Sequence, residues 1–78
     1  MSAEPNFKEK AYALRAEILD LDKRVLALRE VVATIDPGLD VSEMLANVIL
    51  THRHLEDARM RLGKAVQAFD GGTSVYPR

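Results

Sequence analysis

Apolar residues recur along this chain at alternating steps of four and three, the spacing that keeps side chains on one face of a helix. Phe7, Ala11, Leu14, Ile18, Leu21, Val25, Leu28, Val32 and Ile35 follow it without a break. Glu, Asp, Lys, Arg and Ala fill most of the space between, and most of these are good helix formers. The pattern predicts a long helix over residues 6–35, with Ser2 or Asn6 able to cap it and Pro5 suited to a first turn. Asp36-Pro37-Gly38 interrupts the periodicity and predicts a turn over 36–40. Asp40, with Glu43 three residues on, has the form of a capping box opening a second helix over 41–70. Gly71-Gly72 suits its end, and 71–78 is a short polar tail. Two helices of equal length and a short connection predict an all-α antiparallel hairpin, one domain spanning 1–78.

The second helix carries a fault in its seam. Val41, Leu45, Val48, His52, Leu55, Arg59, Leu62, Val66 and Phe69 share a face, and all but two are what a buried face requires. His52 and Arg59, one heptad apart with Thr51 beside the first, are costly to bury unpaired. Two readings stand side by side. The pair flanks the interface, with the arginine stem buried and its head in water or with a carboxylate from helix one as partner. Alternatively, it belongs to a phosphate site, for which arginine offers a planar fork of donors and histidine a donor or a stacking face. Arg53, Arg61 and Lys64 make the segment locally basic, although Glu56 and Asp57 interrupt it.

Apolar residues also lie off these seams. Tyr12, Leu19, Leu26 and Ala33 form a second stripe on helix one, and Ala46, Ile49, Leu50 and Met60 sit away from the main face of helix two. A single facing helix covers only a narrow stripe. A chain of 78 residues buries only about 60% of its unfolded surface. Both points predict a homo-oligomeric helical bundle. Scattered surface hydrophobes are the bland alternative. Tyr12, with Lys8, Lys10 and Arg15 around it, has the makings of a base-stacking residue, or equally of an interface tyrosine with a wet hydroxyl.

Composition narrows the classes of function. The formal net charge of −1 supplies no global field toward nucleic acid or anionic membrane, so DNA is not an expected partner and any anion site must be local. There are no cysteines, which removes disulfides and thiolate chemistry and suits a reducing cytoplasm. No apolar run approaches the ~20 residues of a membrane span, and the N-terminus lacks a signal-peptide core. His52 with Glu56 and His54 with Asp57 point in different directions and form no HExxH arrangement, so no metal is expected. Gly71-Gly72-Thr73-Ser74 lacks the lysine and spacing of a P-loop. A two-helix chain offers no pocket of its own, so any cavity is expected from subunit association. No catalytic residue and no cofactor are expected.

The stretch Thr51-His52-Arg53-His54-Leu55-Glu56-Asp57-Ala58-Arg59-Met60-Arg61-Leu62-Gly63-Lys64-Ala65-Val66-Gln67 resembles the second helix of a bacteriophage family, the small helical-hairpin sponges that counter CBASS and Thoeris immunity. In that family a T-x-x-x-L-x-x-A-x-M pattern leads into a basic K-A-V/I end, as Thr51, Leu55, Ala58, Met60, Lys64, Ala65 and Val66 do here. The rest of the chain matches in size and hairpin shape. The resemblance implies compact oligomers, often hexamers, that sequester cyclic di- or trinucleotide signals in the host cytoplasm without cleaving them. It also implies pockets between subunits, and it carries Thr51, Arg59 and Lys64 over as ligand residues. Our own reading of the residues adds His52, Arg61 and Tyr12. The competing expectation is a structural coiled-coil module in which His52 and Arg59 set register or oligomer state.

Overall fold

A computed structural model describes residues 4–71, and side chains from residue 6 onward. The chain forms two α-helices, α1 (Glu4–Ala33) and α2 (Ser42–Phe69). They pack antiparallel: Lys8 near the start of α1 meets Asp70 just past the end of α2, while Asp22 in mid-α1 meets His52. No described helix is long and apolar enough to cross a membrane.

α1 starts two residues before the position the periodicity marks, with Pro5 in its first turn, where a missing amide hydrogen is no loss. It ends earlier too. The amides of Thr34 and Ile35 reach back three residues, to Val31 and Val32, a tightened last turn that leads into Asp36-Pro37. Asp36 Oδ1 accepts the Gly38 amide at 2.9 Å and holds the turn. At the far end Gly71 adopts φ 83°, the left-handed conformation that a helix-terminating glycine supplies. Gly72 and the remainder of the tail, with Thr73, Ser74 and Tyr76, lie outside the described residues.

The capping box does not form. The residue preceding the first turn of α2 is Val41, and no side chain caps it. Asp40 sits one position too early and instead accepts the Ser42 amide at 2.9 Å across two residues, an Asx-turn.

The seam of α1 also differs from the predicted one. Ala11, Ile18, Val25 and Val32 face α2 as expected, but Leu14, Leu21 and Leu28 remain 49%, 42% and 45% exposed. Arg15 and Asp22 turn inward in their place, so α1 is rotated by one heptad position, about 50°. His52 of α2 explains the inward turn of Asp22, because only a polar group opposite it can satisfy its hydrogen bond in the interface. Arg15 turns in with it to donate to the backbone carbonyl of Arg59. Leu19 and Leu26 of the second stripe become half-buried against α2, whereas Tyr12 and Ala33 stay exposed. On α2 the core residue is Val66, 2% exposed. Phe7 and Phe69 stack at the open end, ring centroids 4.9 Å apart.

Asp22 is the buried polar residue of the described chain. Its Oδ1 accepts from His52 Nδ1 at 2.7 Å, and His52 Nε2 lies 3.2 Å from Glu56 Oε1. The histidine thus pairs with a carboxylate of α1, whereas no carboxylate of α1 pairs with the Arg59 guanidinium among the described residues.

Two expectations follow. Asp22→Ala strands His52 against the seam and should cost about 1–3 kcal/mol in urea unfolding, whereas the Asp22→Leu/His52→Leu double variant should recover most of that loss. For Asp40, the Ser42 amide and then its hydroxyl hold the carboxyl below its ordinary value. A depressed folded-state value gives stability that is present above the unfolded value of about 3.9 and lost as pH falls through the folded one. Asp40→Ala should therefore lower the melting midpoint at neutral pH, and the gap to the native chain should close in acid.

Candidate functional site

Beyond the Asp22–His52 pair, toward the open end of the hairpin, the helices leave an open groove of about 480 Å³. Arg15 of α1 borders it on one side. Glu56, Arg59, Met60, Gly63, Lys64 and Gln67 of α2 supply the rest. On α2 these positions follow steps of three and four, so they form one strip along the helix.

Gly63 lines the groove without a side chain of its own. Gly63 sits in mid-helix, where glycine costs about 1 kcal/mol relative to alanine. The Arg15 guanidinium lies across it: a Cβ built at Gly63 would stand 3.5 Å from Arg15 Cζ and 3.6 Å from Nη2. Arg15 is anchored there by its Nε–H, which donates to the Arg59 carbonyl at 3.1 Å. That bond ties α1 to the backbone of α2 and aims a planar cation along the groove floor. The expectation that one hairpin has no concavity is thus corrected: Arg15 lies across the bare backbone of Gly63 and borders an open groove.

Charge in the groove is local and mostly positive. Arg15, Arg59 and Lys64 are opposed by Glu56, which is drawn toward His52 Nε2. Among the described residues neither the Arg59 guanidinium nor the Lys64 ammonium makes a hydrogen bond or ion pair. Arg59 is half-buried and Lys64 exposed. Donors held open in this way suit an anionic group with several acceptor oxygens.

Of the residues singled out from sequence, Arg59 and Lys64 come together in the groove and the others do not. His52 lies in the seam with Asp22. Thr51 is exposed, and its hydroxyl donates to the Asn47 carbonyl at 2.8 Å. Arg61 points about 200° around the helix from Arg59 and its Nε lies 3.3 Å from Asp57 Oδ2. Tyr12 is exposed and not part of the lining. Arg15 enters the groove from α1, not as the phosphate partner beside Tyr12 that the sequence suggests, and Met60, Gly63 and Gln67 carry no ligand signal in the sequence. A signal for Arg15 was present: Lys8, Arg15, Asp22 and Arg29 recur every seven residues on α1, a polar register matching His52 and Arg59 on α2.

No family model, no curated protein and no solved structure matches this chain.

Gly63 provides a direct check on how the groove is built. Gly63→Ala places its methyl at ordinary contact distance from Arg15 and should raise the melting midpoint by about 4–8 °C through helix propensity. Gly63→Leu should forfeit that gain, because its branch must displace the Arg15 head. Thermal melts followed by circular dichroism would compare the two.

Proposed function

We propose that this chain is a non-enzymatic binder that sequesters cyclic oligonucleotide signals, acting for a phage against host immunity. The observation that carries this reading is the pair Arg59 and Lys64, without partners among the described residues, in one open groove with Arg15. Phosphodiester oxygens would receive charge-assisted hydrogen bonds from Arg59 and Lys64. The flat Arg15 guanidinium and the Met60 thioether offer surfaces on which a base can rest. A volume of about 480 Å³ lies within the ~300–1,000 Å³ range of small-molecule sites. Nothing in the groove forms a nucleophile–base set, which fits retention of the ligand rather than its cleavage. The resemblance of residues 51–67 to phage sponges points the same way, and it adds assembly into homo-oligomers such as hexamers.

The second reading is a structural module that assembles without a small-molecule ligand. The Asp22–His52 pair favours it, because a satisfied polar pair in an apolar seam fixes register and discriminates against slipped partners.

The two diverge in calorimetric titration with a panel of cyclic di- and trinucleotides. A sponge should bind at least one of them. Arg59→Ala or Lys64→Ala should then weaken binding roughly 10- to 150-fold, the equivalent of about 1.5–3 kcal/mol for a hydrogen bond to a charged group, with mass in solution unchanged. Heat from none of the panel, together with a change of mass in Arg59→Ala, would leave the structural module standing.

A further inference from the structure

The rotation that brings Arg15 and Asp22 into the seam leaves an apolar stripe outside it. Leu14, Leu21 and Leu28 are exposed at seven-residue intervals, and Phe7 continues the row. Seven-residue spacing is the period of a helix–helix seam, not of scattered surface hydrophobes. Phe7 stacks on Phe69 of α2, so the side of α2 carrying Leu55, Leu62 and Phe69 borders the same face. The groove residues Gly63, Met60 and Gln67 lie on the other side of the α2 seam.

The two helices alone enclose little apolar surface: among the described residues, the buried apolar side chains are Ala11, Val32 and Val66.

We propose that a second copy of this chain docks antiparallel on the Leu14–Leu21–Leu28 face of α1, about a two-fold axis at Leu21. Charges beside the stripe set the direction. Lys10, Glu17, Arg24 and Val31 flank it on the side away from α2. In an antiparallel pair centred on Leu21 this flank meets its own copy, which brings Glu17 opposite Arg24 of the second chain and Lys10 opposite Val31. In a parallel pair the same charges would face Ile18 and Val25 across the interface and lose their solvation. Arg24 is exposed, and its Nε lies 3.2 Å from Asp20 on its own helix, so it can reach Glu17 of the second copy without leaving water. The groove lies across the seam from this face and stays open in the dimer. The interface therefore does not rest on the ligand reading.

An isologous face gives pairs, so the full chain should have the mass of two chains or a multiple of two by sedimentation equilibrium at micromolar to millimolar concentration. A monomeric or odd-numbered mass across that range would overturn the proposal. The absence of cysteine makes single-cysteine variants clean reporters of direction. Leu21→Cys should cross-link to itself under mild oxidation. Leu14→Cys should not, yet it should cross-link to Leu28→Cys in a mixture. Efficient self-linking of Leu14→Cys would mean a parallel pair, and failure of Leu21→Cys to link would mean that another face is used; either overturns the proposal. Glu17→Arg and Arg24→Glu should each weaken association up to about fivefold, and together they should restore it. This restoration separates loss of the interface from loss of the fold, which helicity by circular dichroism monitors in parallel. Arg59→Ala should leave the mass unchanged whether or not a nucleotide binds.

Discussion

Everything in this hairpin depends on how α2 disposes of two polar residues in an apolar seam. His52 needs a hydrogen-bonding partner and Asp22 supplies it; one heptad toward the open end, Arg15 bonds the Arg59 carbonyl; one heptad further, Lys8 pairs with Asp70 at 2.8 Å. Each rung is about 10.5 Å from the next along α1. Apolar contacts alone tolerate sliding and rotation, since one Leu or Val layer is much like another. A ladder of donors and acceptors does not. Slipping by one layer would leave Asp22 without its histidine, a loss of about 1–3 kcal/mol, and would set the Arg15 head against a residue bulkier than Gly63. The rungs therefore fix both the register and the rotation of α1.

The groove and the exposed leucine stripe are two results of that rotation. Turning Arg15 inward lays its guanidinium across Gly63 and brings a cation to Arg59 and Lys64. The same turn carries Leu14, Leu21 and Leu28 out of the seam. A hairpin with Leu14 and Leu21 buried would have a more apolar core, no cation across Gly63 and less reason to meet a second copy. Stability of the isolated chain is thus lower than its composition allows, while binding and association surfaces are larger.

Much of the fold was legible in the sequence. The periodicity set the number and approximate span of the helices, and Asp36-Pro37-Gly38 set the turn, because these signals act locally. Rotation of α1 was not legible from the apolar pattern, since Ile18 and Val25 belong to the seam whether Leu14 and Leu21 or Leu19 and Leu26 flank them. The answer lay in matching polar positions between helices: Arg15 and Asp22 on one, His52 and Arg59 on the other. The capping box at Asp40 failed by a single residue, within the scatter of helix ends. For the groove, Arg59 and Lys64 were legible as basic residues near a polar seam. Gly63 was not, because its role arises only when two helices are laid side by side, and the signal for Arg15 lay in the polar register of α1 alone.

The ladder also orders events in time. Asp22 and His52 are 30 residues apart in the chain and Arg15 and Arg59 are 44 apart; Lys8 and Asp70 are more distant still. Closing the widest loop directly from an open chain costs the most entropy, whereas each rung formed shortens the loop that remains for the next. The hairpin therefore zips from the turn outward and frays in reverse. The Phe7–Phe69 and Lys8–Asp70 contacts are the last to form and the first to open. The groove, between that end and the Asp22–His52 rung, sits on the more easily opened half of the molecule. An anion that bridges Arg15 and Arg59 would act there as one more rung, slowing the opening of the end that holds it.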